Sequence, residues 1–334
     1  MTRRYILFAA MCVVVASCSG SDVEPDVSAD AGPYDRFVEV NGAKLHYLDW
    51  GGQGPLLLLV HGFTNTAYTF GQLAPALTRE YRVMAVTRRG HGASEPPPAA
   101  FDLDLNVDDL AAFIAAFSDE PAIVAGMSHG GLEIPRLARR YPELVSSLIF
   151  LDAVYDWRQL STFPPLPGFA PDSLFPSYEQ LDAWHRDAFA EFWSVEFHRH
   201  VHSQVYTRQD GQIAWQLSPN GFAHARYLAL WTEWDPTDYQ AIHVPVLAIR
   251  ALQEDYLVAN LTRRGFSVAE VDSARTWAKD FDDVAKSQGL ELLVAANPEA
   301  TVIELENTNH LLHLHRPRQV AEAMLQFLAD RMGS

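Results

Sequence analysis

The chain has 334 residues, 48% of them apolar and 20% charged, enough to bury one large core or two small ones. It lacks repeats, collagen periodicity and low-complexity tracts, which excludes the fibrous and disordered classes. Lys and Arg number 25 against 42 Asp and Glu, and a formal charge of −17 repels a phosphate backbone, so no nucleic-acid partner is expected.

Both cysteines, Cys12 and Cys18, fall in the first eighteen residues. A basic start at residues 1–4 leads into an uncharged, largely apolar run at 5–17 that is too short to span a bilayer. Residues 1–17 therefore read as a secretory signal peptide. Val15-Ala16-Ser17-Cys18 resembles the bacterial lipobox, which implies a lipidated Cys18 as the mature first residue and anchoring at the cell envelope. Ordinary cleavage at small residues is the alternative. On the lipobox reading, intact mass should show a mature chain starting at Cys18 and carrying acyl mass. Cleavage removes Arg3 and Arg4, leaving a body more acidic by two charges and free of cysteine. Zinc ribbons and thiol catalysis are thereby excluded, and core packing alone must hold the fold. Residues 18–33 are small, polar and acidic, as suits a flexible tether.

Strands are predicted at residues 37–40, 44–50, 56–60, 82–86, 122–125, 148–151, 246–249 and 301–305. The first two flank Asn41-Gly42, a strong hairpin signal. Several later ones are near-continuous apolar runs, the mark of strands buried on both faces. Helical patterns cover residues 72–78, 107–116, 131–140 and 317–331. A hairpin followed by strand–helix alternation predicts a mostly parallel, eight-stranded α/β sheet flanked by helices. Residues 157–243 break the alternation, show no strand of their own, and hold six of the eight tryptophans. So long a structureless loop is improbable, and a helical cap inserted between core segments 34–156 and 244–334 is predicted. Most of its aromatics should pack the cap, and a few should line a pocket.

The predicted strand at 122–125 runs into Gly126-Met127-Ser128-His129-Gly130-Gly131, with a helix beyond. This is a G-x-S-x-G nucleophile elbow in its strand–turn–helix setting. Its turn leaves no room for side chains on either flank, so glycine fills both. The following helix offers N–H groups and a positive dipole end to a developing oxyanion. Upstream, the strand at 56–60 ends in His61-Gly62-Phe63-Thr64, where a main-chain N–H can face the serine. With Arg89-Gly90-His91-Gly92-Ala93-Ser94 as a third block, the chain resembles the α/β-hydrolase superfamily from about residue 37 onward, the cap excepted. The resemblance implies an oxyanion hole made by the N–H groups of Phe63 and His129. The family usually has aspartate at the position of Thr87, a departure that touches loop structure rather than reacting atoms.

A general base is expected on the loop after the last strand. His310 stands seven residues before Pro317, the family spacing, with His313 and His315 as neighbouring rivals. The acid that orients this base has two candidate placements, of which the first, Asp152, is favoured. Asp152 ends the strand at 148–151, at a distance from Ser128 similar to that in haloalkane dehalogenases and some lactonases. Glu254 and Asp255 follow the strand at 246–249, where the family's usual Gly-x-x-Asp lacks its glycine. His198, His200 and His202 alternate, but a helix spreads them around its axis, so no metal site is expected there. Asp280, Asp282 and Asp283 read as a solvated helix face. No dinucleotide, nucleotide or zincin motif is present, and no cofactor is expected.

The expectation is a cofactor-free serine hydrolase acting on a small, partly apolar carboxylic ester or lactone through an acyl-enzyme. A proline-iminopeptidase-like enzyme is the alternative; it needs a cap acid for the substrate ammonium, and Glu191, Glu196, Glu233 and Asp235 are available. A non-catalytic binding protein on the same fold is the other.

Overall fold

The computed structural model describes residues 33–98, 101–160, 174–216 and 229–332. The expected signal peptide, Cys18 and nearly all of the tether lie outside the described residues, as do residues 163–167 and 222–228 of the insertion.

β1 (Tyr34–Val40) and β2 (Ala43–Gly51) form the expected hairpin. Asn41 and Gly42 have φ of 47° and 67°, the left-handed pair that a two-residue turn needs. β3 (Leu56–Val60), β4 (Arg82–Val86), β5 (Ala122–Met127) and β6 (Val145–Leu151) follow. β7 (Val205–Thr207) and β8 (Ile213–Trp215) lie in the insertion, and β9 (Val246–Ala251) and β10 (Thr301–Leu305) return to the core. The main sheet has eight strands in the order β1-β2-β4-β3-β5-β6-β9-β10. It is antiparallel at β1–β2 and β2–β4 and parallel elsewhere.

The helices are α1 (Ala74–Leu77), α2 (Leu103–Phe117), α3 (Gly130–Arg140), α4 (Trp157–Leu160), α5 (Tyr178–Ala188), α6 (Val195–His202), α7 (Thr237–Gln240), α8 (Glu254–Arg263), α9 (Val268–Phe281), α10 (Ser287–Ala296), α11 (Leu312–His315) and α12 (Pro317–Met332). They explain the unbroken apolar strands. Leu56, Leu58 and Val60 of β3 pack with Val107, Leu110, Phe113 and Ile114 of α2 and with Leu132 and Leu137 of α3. Leu57 and Leu59 point the other way, toward Phe70, Leu77 and the α12 residues Val320, Met324 and Phe327. Each such leucine is fully buried and contributes roughly 2 kcal/mol.

Two regions differ from expectation. The insertion is not wholly helical: β7 pairs antiparallel with β8, and Phe175 bridges to Ile213. The signal was present in Val205-Tyr206-Thr207 and the Asp210-Gly211 turn, where Gly211 has φ 84°. Between β9 and β10 stand three helices, α8 to α10, that the periodicity left unassigned. A single π turn (Asp282–Lys286) joins α9 to α10. It turns Asp282 inward against Lys286 at 3.0 Å, so the expected solvated acidic face holds only for its neighbours Asp280 and Asp283, which are exposed.

Candidate active site

Ser128 occupies the tight step between β5 and α3 with φ 48°, a strained value for a residue with a side chain. The flanking glycines are required. A Cβ on Gly126 would stand 2.7 Å from the Gly130 main chain, and one on Gly130 would stand 2.5 Å from the Val60 carbonyl. The loop after β3 comes equally near, since a Cβ on Gly62 would lie 3.0 Å from the Ser128 Cβ. Phe63, next in sequence, lines the same cavity as Ser128, and His129 is the N-cap of α3. The residues expected as oxyanion donors thus come from two loops that meet at the serine.

A buried polar network sits behind that junction. Arg88 Nη2 donates to the Gly62 carbonyl at 2.9 Å, and His61 Nδ1 lies 2.8 Å from the same oxygen. His61 Nε2 accepts the Arg88 main-chain N–H, so the ring proton is on Nδ1 and donates to Gly62. Burial, then the Arg88 charge, hold the His61 pKa well below its ordinary range, which keeps the ring neutral. With the Asn65 N–H at 3.2 Å as a third donor, the Gly62–Phe63 peptide is fixed on its carbonyl side, and a trans peptide aims its N–H the opposite way. The same guanidinium reaches Glu133 at 2.6 Å and His129 Nδ1 at 2.9 Å, touching both sides of the junction. Sequence reasoning missed Arg88 and Glu133. The charged pair Arg88-Arg89 at the end of a buried strand was the available signal.

Asp152 ends β6 with φ 45°, its N–H bonded to the Ile249 carbonyl. Its Oδ2 lies 2.7 Å from His310 Nδ1, and its Oδ1 accepts the Ala251 N–H at 3.0 Å. Lys286 Nζ is 3.1 Å from Oδ1, bonds the Ala251 carbonyl at 2.8 Å and pairs with Asp282. Lys286 is almost fully buried. Burial alone would raise the Asp152 pKa; Lys286 and His310 outweigh it and bring the carboxyl down to about 2. Tyr155 donates its hydroxyl to the Asp152 carbonyl and stands 3.4 Å from His310 Nδ1. The π turn is tied to the same region: its Ala285 carbonyl accepts the Asp156 N–H at 2.8 Å, which seats the turn against the end of β6.

The rival residues lie elsewhere. His313 is buried against Thr69 at 2.8 Å. His315 accepts the Asn309 N–H and pairs with Glu191 at 3.0 Å, bracing the His310 loop against the cap. Glu254 stands 3.7 Å from Arg275, and Asp255 is exposed in the first turn of α8. Thr87 bonds His46 and the Ala67 N–H, a loop-bracing position.

Ser128 and His310 open into a cavity of about 330 Å³. Its walls include Phe63, Phe175, Trp184, Phe189, Phe197 and Trp215, with Asn65, Gln204 and Gln253 as polar points. Two of the cap tryptophans line it; Trp157 and Trp234 are buried in the core. Among the described lining residues there is no Asp, Glu, Lys or Arg. Burial lowers the pKa of His200 to about 3 and that of His185 to about 4, so these two of the cavity imidazoles are neutral near neutral pH. Glu191, Glu196, Glu233 and Asp235 are not among the lining residues. Glu233 takes the Leu103 N–H, and Asp235 takes that of Thr237.

Residues 57–323 match the Alpha/beta hydrolase family. An AB hydrolase superfamily protein of Bacillus subtilis is 35% identical over 150 residues, 44% of this chain and 52% of the relative, so the chain spans about half of that relative's length. A non-heme chloroperoxidase of Streptomyces lividans is 31% identical over 223 residues, 62% of this chain and 77% of that one. The crystal structure of E-2-(acetamidomethylene)succinate hydrolase superposes with a TM-score of 0.68 at 21% identity, covering 89% of this chain and 99% of that one.

Proposed function

The chain belongs to the alpha/beta hydrolase family, and from that premise we propose that it is a serine hydrolase of uncharged, apolar carboxylic esters or lactones. The observation that carries this reading is the 2.7 Å contact of buried Asp152 with His310, a histidine that lines the same cavity as Ser128. Ser128 Oγ attacks the acyl carbon and passes its proton to His310 Nε2. The carbonyl oxygen becomes an oxyanion held by the N–H groups of Phe63 and His129. His310 returns the proton to the leaving alkoxide as the C–O bond breaks, giving an acyl-enzyme and an alcohol. Water then attacks the acyl carbon, with His310 taking its proton, and Ser128 departs with that proton restored. Asp152 holds the imidazole in the Nδ1–H tautomer and balances the imidazolium.

The cavity supports the choice of substrate. Aromatic walls favour an apolar acyl or alkyl group, while a charged substrate would lose its hydration without a counter-ion. The structurally similar succinate-derivative hydrolase is named for a dicarboxylate, whereas no cation lines this cavity among the described residues. A proline-iminopeptidase-like activity has less support, because none of the four cap acids faces the cavity. On the same reading the enzyme is exported and held at the cell envelope by acyl chains on Cys18, which the intact mass described above would check.

A fluorophosphonate probe should label the wild-type protein at Ser128 and leave Ser128→Ala unlabelled. p-Nitrophenyl butyrate should be turned over in preference to prolyl p-nitroanilide. Absence of labelling in well-folded protein would favour a binding role, and a preference for the amide by orders of magnitude would favour the peptidase.

A further inference from the structure

We propose that Asp182, His198 and His202 form a binding site for a divalent transition-metal ion of the zinc class, bridging α5 and α6 of the cap. His198 and His202 stand one helical turn apart on α6 and share a face, which the three-histidine alternation obscured; His200 between them turns away and lines the cavity. Both rings aim Nε2 at one carboxylate from the neighbouring helix. His198 Nε2 lies 3.1 Å from Asp182 Oδ2, and His202 Nε2 lies 2.8 Å from Oδ1. One ligand atom from each residue fits within a mutual spacing of 4.8 Å. Ligand atoms of a tetrahedral zinc site, with bonds of about 2.0–2.1 Å, stand about 3.3 Å apart, so the cluster is already near the dimensions of a coordinated set.

The rings are held in place before any ion arrives. Tyr178 stacks on His202 with centroids 4.9 Å apart, and Trp193 meets His198 edge-on at 6.0 Å. The three side chains are between 20% and 38% exposed, which leaves an approach for the ion and for water to complete its shell. Two imidazoles and one carboxylate suit zinc, nickel or copper ions, whereas magnesium and calcium call for an all-oxygen set. On binding, each neutral imidazole carries its proton on Nδ1 and gives the Nε2 lone pair to the metal, and the ion replaces the two hydrogen bonds to Asp182. The consequence is mechanical: α5 carries Trp184 and His185, and α6 carries Phe197, His200 and Val201, all on the cavity wall. An ion between these helices would pin that wall.

The test uses the purified full chain without an affinity tag, stripped with chelator and titrated with Zn²⁺. One ion per chain should bind saturably and raise Tm by about 5 °C at saturating metal, while Mg²⁺ does neither. Co²⁺ should give a visible absorption band from the occupied site. His198→Ala, His202→Ala and Asp182→Asn should each weaken Zn²⁺ binding at least about tenfold. His243→Ala, an exposed histidine outside the cluster, should leave binding unchanged. The chelator-treated variants should melt close to the chelator-treated wild type, which separates lost binding from lost folding. No saturable uptake at excess Zn²⁺, or uptake that survives His202→Ala, would overturn the proposal. Binding and melting are read without turnover, so the outcome stands apart from that of the hydrolase reading.

Discussion

Asp152→Asn is expected to lower kcat about ten-thousandfold while changing KM for a p-nitrophenyl ester little. The carboxylate Oδ2 accepts the His310 Nδ1 proton at 2.7 Å, which leaves the Nε2 lone pair free for the serine proton in the proposed mechanism. An amide nitrogen in that place donates to Nδ1, forces the ring proton onto Nε2 and removes the lone pair where it is needed. It also deletes the anion that balances the imidazolium in the transition state. Asp255→Asn serves as the control: Asp255 is exposed at the start of α8, and its variant should remain within about twofold of wild type. Turnover of a soluble chromogenic ester by both variants, with melting curves to show that each is folded, decides the matter. Near-full activity in Asp152→Asn would remove Asp152 from the mechanism.

The elbow was readable because its constraints are local. A glycine on each side of Ser128 answers a steric demand within five residues, and the strand and helix around it announce themselves by periodicity. The same holds for Asn41-Gly42, where the turn dictates the residues. The acid was harder, because the choice between Asp152 and Asp255 depends on where two non-adjacent strands end beside the loop carrying His310. Both acids follow strands in the sequence; only the packing of β6 and β9 distinguishes them. Arg88 left only the faint mark of a charged pair after a buried strand, and Lys286 was not legible at all as part of the site. Lys286 reaches Asp152 from 134 positions downstream, through a π turn that leaves no periodic signature, and a lysine in a helical stretch ordinarily reads as solvent-facing. The cap hairpin escaped for a different reason: strands of three residues are too short for alternation to register, and the β-favouring Val205-Tyr206-Thr207 and the Asp210-Gly211 turn were its short signals.

Lys286→Met is expected to destabilise the protein by about 3–5 kcal/mol at neutral pH and to slow catalysis as well. The ammonium is buried and touches both fully buried Asp152 and partly buried Asp282, so its loss leaves two carboxylates without this cation. In the wild type the Asp152 pKa falls from 3.8 to about 2 on folding. A depressed carboxylate stabilises the fold above its unfolded pKa, and that contribution, about 2 kcal/mol, is lost as pH drops from near 4 through 2. Without Lys286, burial works against Asp152 ionisation with only His310 and the Ala251 N–H to oppose it, and the sign is expected to reverse. Protonation then relieves the folded state, so the stability gap between variant and wild type should narrow as pH falls from 7 toward 4. Adding Asp282→Asn to the variant should restore part of the loss, since one unbalanced carboxylate is removed. The acid limb of the kcat/KM profile should move to higher pH, because the imidazolium then faces an Asp152 charge that no second cation shares. Denaturant melts across pH and a pH–rate profile read these effects separately. Equal stability at every pH, with an unmoved acid limb, would reduce Lys286 to packing. A loss of stability with an unmoved limb would make it structural but leave the His310–Asp152 pair independent of it.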